Sequence, residues 1–370
     1  MEKLLAAAAT QSELARIPGG SAANVVKGVA NIAGANASCR FVGMVGADAT
    51  GAEYRAKLSA QGVAPVLLES DSGAPSACAV CFVTPDGQRT MRTCLGASLE
   101  LQSCAQLPDR WNEGCRLLHA EGYCLYRPKL AREMMSLARA AGALTSIDLA
   151  SFELVRNCKD SMLGLLKDGL IDLIFANEEE AVTLCTELGL LPPAADGSGA
   201  APDTDAAVEA AQRFLLSPTG GRCKVAVTSL GARGCVARAA DGGQGAAAAC
   251  RVQVVDTIGA GDFFTAGFLA AYLRGGSLQQ CAAAGCASGA EAVQAKGAEL
   301  PEESFVRLRA AIESILAAQP AAGGAAAAAG AAAVVAATMG AGAKAVNTAT
   351  LVGTPVAAVT AKPEPVAAMV

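Results

Sequence analysis

Aromatic and imidazole side chains are scarce in this 370-residue sequence. Aromatic residues make up 4% of it, tryptophan occurs once, and His119 is the only histidine. No serine or cysteine nucleophile stands near His119 in a recognisable catalytic pattern, so the sequence gives no sign of a hydrolase triad. We therefore expect His119 to have a packing role.

Positive charge is also in short supply. The formal net charge is −5 and the pI is about 5.2. A nucleic-acid partner calls for a basic face, so this balance argues against one. Small anionic nucleotides can still bind, because main-chain N–H groups and helix dipoles attract anions without net positive charge.

Disulfide and metal patterns are missing although the sequence contains fourteen cysteines. Cys78 and Cys81 form the only C-x-x-C pair, and no second pair or histidine follows at zinc-ligand spacing. The segment from Met1 to Arg16 lacks the apolar core of a secretory signal. We expect reduced thiols in a cytoplasmic protein, with a plastid as the alternative if the N-terminus is incomplete.

Large apolar residues nearly vanish from residue 319 onward, where Ala, Gly, Val and Thr dominate. Such a segment has too little apolar surface to order a core, and alanine and glycine favour a bilayer too weakly for a membrane span. We expect a low-complexity tail at 319–370, one folded domain at 1–318, and no membrane partner.

Apolar β-like runs alternate with helical patterns from residue 17 to about 316. This rhythm predicts parallel strands joined by crossover helices. Two β-like runs at 77–94, joined by the turn residues 85–88, predict an inserted hairpin that forms a flap. Strands are predicted at 39–46, 63–70, 115–124, 143–150 and 172–177, with a strand, turn and strand at 224–238; helices are predicted at 51–62, 129–142 and 178–188, from Asp262 onward, and between 278 and 318.

One segment carries a chemical signal. Gly259, Ala260 and Gly261 precede Asp262, which opens an apolar helical run. Small residues let the chain turn tightly and leave N–H groups at the helix start, where the dipole favours an anion. Asp262 would then stand beside that anion and could accept a proton. The alternative is an ordinary strand-to-helix turn with Asp262 as the N-cap.

This segment resembles the second signature of the PfkB, or ribokinase-like, family of carbohydrate and nucleoside kinases. Other landmarks follow in the family's order over residues 17–316. The resemblance implies a three-layer α/β/α sandwich with a mostly parallel central sheet and a small β lid around 63–98. It also implies an ATP-dependent phosphotransferase in which Asp262 is the base and the amides of Gly259, Ala260 and Gly261 form the anion hole.

The same resemblance implies the remaining site residues. Gly19, Gly20 and Asn24 would bind substrate hydroxyls, although a capped helix start also fits these letters. Asn177 and Glu180 match the family's N-x-x-E, which organises Mg²⁺ and phosphates through water; dipole complementation is the alternative. The last implied contacts are a nucleotide turn at Thr228, Gly231 and Gly234, and a monovalent cation, K⁺, beside Asp256 and the loop 291–297.

The sequence departs from the family pattern at its start. Eighteen residues precede Gly19, and they contain no apolar strand carrying an aspartate. The first strand of the sandwich is therefore expected to be missing, so either the substrate is held differently or the chain is a truncated product. Segments 84–98 and 146–157 look closer to adenosine-kinase-like members than to ribokinase itself, with ribose and fructose as rival substrates. A catalytically silent scaffold or regulatory protein is the alternative function, and family habit suggests a homodimer.

Overall fold

The computed structural model describes residues 17–83, 89–191 and 203–318. Within these ranges, no helix is long and apolar enough to cross a membrane. Several predicted features lie outside the described residues: the segment before residue 17, the hairpin turn at 85–88, most of the loop at 191–204, and the tail at 319–370.

Six strands form the main sheet, in the order β10-β9-β8-β7-β6-β5. The four strands β5 to β8 run parallel, whereas β9 and β10 extend one edge in antiparallel fashion. Parallel strands of this kind end at a common edge, where open α/β sheets bind their ligands. The strands are β5 (Leu117–Glu121), β6 (Leu144–Asp148), β7 (Leu173–Asn177), β8 (Val225–Ser229), β9 (Cys235–Ala239) and β10 (Gln244–Ala247).

Helices cover both faces of this sheet, which makes three layers. In β7, Leu173 and Phe175 face one apolar cluster, while Ile174 and Ala176 face the other. This strict alternation is the period-2 pattern of a strand buried on both sides. The helices are α1 (Ser21–Ala33), α2 (Ala49–Ala60), α3 (Pro128–Ala140), α4 (Phe152–Asn157), α5 (Lys159–Lys167), α6 (Glu178–Glu187), α7 (Thr204–Leu216), α8 (Ala260–Tyr272), α9 (Leu278–Ala292) and α10 (Glu302–Ala317).

Two smaller sheets stand apart from the main one. The strands β1 (Cys39–Gly46) and β2 (Val63–Ser70) pair in parallel, and β3 (Cys78–Val83) pairs antiparallel with β4 (Arg89–Cys94). Helix α1 packs against both β1 and β5, yet the described strands β1 and β5 are not hydrogen-bonded to each other. Residues 1–16, where the first strand is expected to be missing, lie outside the described residues. The fold class predicted from the sequence is confirmed.

Candidate active site

The turn before α8 is built around a glycine in the left-handed region. Gly259 has φ 78° and caps the helix, and a Cβ added there would lie 2.7 Å from the Cβ of Ala298. The helix begins at Ala260, two residues before the predicted start, so Asp262 lies half-buried in the first turn. This geometry excludes the alternative in which Asp262 is an N-cap.

The main-chain amides of this turn are not equivalent. The N–H of Ala260 donates to the carbonyl of Thr257 at 3.3 Å, so it already has a partner. Gly261 is exposed, and nothing lies within 4 Å of a Cβ added to it. Of the predicted anion-hole residues, Gly261 is therefore the one best placed to meet a phosphate oxygen.

A side chain of α1 holds the Asp262 carboxylate. Asn24 Nδ2 donates to Asp262 Oδ2 at 2.8 Å. The two helices cross where a Cβ on Gly28 would lie only 2.6 Å from the Cβ of Ala266. Asn24 and Asp262 each stand four residues before this crossing point, so the close approach of the helices aligns the amide with the carboxylate.

The other predicted substrate-binding residues open the same helix. Gly20 caps α1 with φ 102°, and Gly19 before it is exposed. Asn24 is only 5% exposed, and among the described residues its Oδ1 has no hydrogen-bond partner. A buried acceptor without a donor calls for an explanation, and a ligand hydroxyl is the donor that this position suits.

Two further carboxylates belong to this site, and sequence reasoning missed both. Glu121 and Asp148 end β5 and β6 side by side in the register, and the Thr265 hydroxyl of α8 donates to Asp148 Oδ2 at 3.3 Å. Burial and the nearby charge of Asp262 raise the pKa of Glu121 to about 8. Burial, and then Glu121, also raise the pKa of Asp148. No local motif marks either residue, because the ends of the two strands meet only once the sheet order is known.

The packing role expected for His119 accounts for only part of its contacts. The ring is buried and stands edge-on to Phe175, with 6.3 Å between ring centroids. Its Nδ1 lies 2.8 Å from Ser146 Oγ, and its Nε2 lies 3.2 Å from Glu121 Oε1. Burial lowers the pKa of His119 to about 4, so the ring is neutral near pH 7. Its contact with Glu121 is then a hydrogen bond and not an ion pair.

Asn177 and Glu180 hold each other at the start of α6. Asn177 Oδ1 accepts from the Glu180 N–H at 2.9 Å, and Glu180 Oε2 accepts from the Asn177 N–H at 2.8 Å. This reciprocal capping box supports the structural reading of the acidic turn. Glu180 is 2% exposed, and burial followed by the charge of Asp148 raises its pKa.

The described residues offer no complete metal cage. No group of three or more His, Cys, Asp or Glu side chains within these ranges is placed to hold a metal ion. Mg²⁺ keeps several of its own waters and often relies on substrate phosphates for the rest of its shell. The pair Asn177 and Glu180 therefore fits a Mg²⁺ that arrives with a nucleotide and is met through water.

The predicted nucleotide turn follows β8. Gly231 has φ 54° and Gly234 has φ 103°, and a Cβ on Gly234 would lie 1.9 Å from the carbonyl oxygen of Ala247. Both positions therefore require glycine for the turn itself. Next to them, Arg233 pairs with Glu178 at the start of α6, which ties this turn to the Asn177 region.

The structure places the side chain of Thr228 in the core. It is 2% exposed, and its hydroxyl accepts a hydrogen bond from Gln212 Nε2 at 3.0 Å. The side chain thus points into the core beneath α7, which argues against direct contact with a nucleotide. Ser229, the last residue of β8, points to the opposite face and is half-buried.

Asp256 joins the turn before α8 to the loop after α9. Its Oδ1 accepts from the N–H of Ile258 at 3.0 Å, and its Oδ2 accepts from the N–H of Gly297 at 2.9 Å. Asp256 therefore contacts the loop of the predicted cation region. Glu291, the first residue of that predicted loop, lies in α9. Glu291 forms a two-pronged ion pair with Arg307, with both N–O distances 2.8 Å, and this pair accounts for its buried charge.

Comparison with known protein families matches residues 3–304 to the pfkB family carbohydrate kinase. The chain belongs to this family. It is 30% identical over 306 residues to the aminoimidazole riboside kinase of Salmonella typhimurium, covering 78% of this chain and 85% of that protein. It is 25% identical over 309 residues to adenosine kinase 2 of Arabidopsis thaliana, covering 78% and 81%.

Solved structures agree with this assignment to the pfkB family. The crystal structure of adenosine kinase from Sinorhizobium meliloti is similar with a TM-score of 0.69 and 28% identity, covering 85% of this chain and 88% of that one. These relatives place the protein in the adenosine-kinase-like branch of the family. A sugar or nucleoside kinase is the class of enzyme that this family and these relatives support.

Proposed function

We propose that this protein transfers the γ-phosphoryl group of ATP to a hydroxyl of a nucleoside or sugar, with Asp262 as general base. The observation that carries the proposal is the Asp262 carboxylate in the first turn of α8, bound by Asn24 and next to the exposed Gly261. A base and an anion-binding helix start within one turn are what phosphoryl transfer to an alcohol requires.

The reaction balances through these groups. The acceptor hydroxyl loses its proton to Asp262 while its oxygen bonds to the γ-phosphorus, and the bond from that phosphorus to the β,γ-bridging oxygen breaks to release ADP. The N–H of Gly261 and the dipole of α8 stabilise the negative charge on the transferring group. The bond from Asn24 orients the carboxylate toward the acceptor.

The acceptor would lie between α1 and the end of β5. Asn24 Oδ1 would accept a hydrogen bond from one of its hydroxyls, and the buried Glu121 carboxyl, which lies against Ser21, would meet a second. Several groups that accept or exchange hydrogen bonds suit a polyhydroxylated ring such as ribose. We place adenosine first among the acceptors, because two of the most similar relatives are named adenosine kinases.

Cofactors follow from the same arrangement. Asn177 and Glu180 would meet the waters of a Mg²⁺ ion, which would neutralise charge on the phosphates when bound. Gly231 and Gly234 shape the turn proposed to lie along the nucleotide. Asp256, which links Ile258 and Gly297, would supply the negative charge for a K⁺ ion beside the anion hole.

The decisive assay is ADP release by the purified protein with adenosine, other nucleosides, ribose and fructose as acceptors. Asp262→Asn should lower turnover roughly 10²–10⁴-fold, the usual contribution of a general base. ATP affinity should stay within about twofold, because the amide can still accept from Asn24. Turnover that survives this substitution would remove Asp262 from the proposed role.

A catalytically silent scaffold is the competing function, and the separation of β1 from the main sheet favours it. ATP binding measured by calorimetry separates the two candidates. A protein that binds ATP and releases no ADP with any of these acceptors is the silent relative, whereas acceptor-dependent ADP release that Asp262→Asn abolishes identifies the kinase.

A further inference from the structure

The side chains of β5 and β6 that face α8 form two polar rungs. In the register, His119 lies beside Ser146, and one rung closer to the site Glu121 lies beside Asp148. Side chains two residues apart on a strand share a face, so His119 lies directly behind Glu121. The inner rung is deeply buried, with Ser146 at 0% exposure and the His119 side chain at 10%.

Both ring nitrogens of His119 have a polar neighbour. Ser146 Oγ is 2.8 Å from Nδ1, and Glu121 Oε1 is 3.2 Å from Nε2. A neutral imidazole has one N–H and one acceptor nitrogen, so the Ser146 hydroxyl donates to Nδ1 when Nε2–H donates to Glu121 Oε1. The phenyl ring of Phe175 holds the imidazole from its edge.

We propose that His119 is a positioning residue: its imidazole, fixed by the Ser146 hydroxyl, holds the Glu121 carboxyl at the place where the acceptor alcohol binds. The inference rests on the proposed function, because it assigns Glu121 to the acceptor. The ring itself touches no reacting atom. It acts by limiting Glu121 to the rotamer that faces Ser21 and α1.

Three substitutions of His119 separate positioning from packing. His119→Gln places an amide N–H close to the position of Nε2 and can reach Glu121. His119→Asn reaches only the position of Nδ1, and His119→Leu keeps an apolar side chain with no donor. Thermal melts confirm that each variant is folded before its kinetics are compared.

The expected pattern is a rise in the acceptor KM without a rise in the KM for ATP. His119→Asn and His119→Leu should raise the acceptor KM about fivefold, as the loss of one hydrogen bond of about 1 kcal/mol implies, while the KM for ATP stays unchanged. His119→Gln should return the acceptor KM to within about threefold of the parent. In a Glu121→Ala background, His119→Asn should add less than about twofold, because the partner of the His119 hydrogen bond is already absent.

Each other result overturns the proposal. Wild-type acceptor KM in the folded His119→Leu variant assigns the ring to packing. Equal losses in the Asn, Gln and Leu variants show that no specific bond to Glu121 matters. Full additivity of His119→Asn and Glu121→Ala shows that the residues act separately.

A second measurement needs no turnover. His119 is the sole histidine of the sequence, so its ring signals in a ¹⁵N-labelled protein without a histidine tag need no assignment. The proposal requires a neutral ring at pH 7 with the proton on Nε2, and a change in the Nε2 shift in Glu121→Gln but not in the control Glu69→Gln at an exposed position. If the Nε2 chemical shift does not change in Glu121→Gln, His119 does not form the proposed hydrogen bond to Glu121.

The proposed function and the positioning role of His119 can be rejected separately. If the parent protein releases no ADP with any acceptor, the proposed function falls and the kinetic role of His119 falls with it, whatever the ring signals show. If the parent is active but the variants do not raise the acceptor KM selectively, the proposed function stands and the positioning role is rejected.

Discussion

Two glycines of the turn before α8 differ in a way that separates stability from chemistry. Gly259 is left-handed, and a Cβ there would meet Ala298 at 2.7 Å, whereas Gly261 has open space around it. Gly259→Ala should therefore destabilise the fold by about 1–2 kcal/mol from the backbone conformation alone, with a further cost from the close contact. Thermal or urea unfolding measures this change.

Gly261→Ala should have the opposite profile. Alanine is the better helix former by about 1 kcal/mol, so unfolding stability should hold or rise. Its methyl group would enter the space proposed for the transferring phosphoryl, and kcat should fall at least about tenfold, as obstruction of an anion hole predicts. Full activity in a folded Gly261→Ala protein would move the phosphate away from this turn.

Sequence reasoning reached some residues of the site and could not reach others. Asp262 and Asn24 lie in motifs whose local spacing already suggests an anion site and a helix start, and the structure joins them at 2.8 Å. Glu121 and Asp148 are 27 positions apart in separate strands and carry no local pattern. The burial of Thr228 could not be predicted from its motif, because the alternation of β8 turns that side chain into the core.

At the scale of elements, the crossing of α1 and α8 sets the geometry of the base. Gly28→Ala would bring two methyl carbons to about 2.6 Å, so the helices must move apart and the bond from Asn24 to Asp262 must lengthen. We expect kcat to fall about tenfold with a smaller change in the KM for ATP. Steady-state kinetics on the folded variant measure both.

The same crossing provides a reciprocal control. In a Gly28→Ala, Ala266→Gly double variant the bulk is exchanged between the helices, which relieves the clash at the cost of about 1 kcal/mol of helix propensity in α8. Activity should then recover substantially although stability does not. A double variant as impaired as Gly28→Ala alone would show that the crossing distance does not control Asp262.

Element bounds could be predicted where the local signals agree. The bounds of β1 and β2 coincide with the predicted 39–46 and 63–70, since each apolar run is closed by turn-forming residues. The start of α8 was placed two residues late, because the left-handed Gly259 stops the backbone before the apolar pattern begins. The antiparallel edge strand β10 was not predicted, as its four small or polar residues have weak strand propensity.

For the whole molecule, the main consequence of the fold is that acidic groups are buried at one edge of the sheet. Glu121, Asp148 and Glu180 all have raised pKa values because burial disfavours their charges. Glu121 stands on β5, the outer strand of the main sheet. Protonation of these carboxyls is therefore linked to the stability of the entire fold.

Glu121 and His119 shift the pH dependence of stability in opposite directions. Glu121 has a pKa of about 8 when folded and 4.5 as its ordinary value, so the folded chain holds an extra proton between these limits and loses stability as the pH rises through them. His119 has a pKa of about 4 when folded against 6.5, so it opposes this trend below pH 6.5 and adds nothing above it. Stability should therefore fall between pH 6.5 and 8.

Glu121→Gln tests whether this fall has the proposed origin. The amide cannot ionise, so the decline in melting temperature between pH 6.5 and 8 should become shallower, while Glu69→Gln at an exposed position should leave the slope of the parent unchanged. Differential scanning calorimetry at half-unit pH steps resolves the slopes, each fully linked proton accounting for up to about 1.4 kcal/mol per pH unit. A melting temperature that is flat or rising over this interval in the parent protein would mean that Glu121 is ionised in the folded state. His119 would then donate its hydrogen bond to a carboxylate and not to a protonated carboxyl.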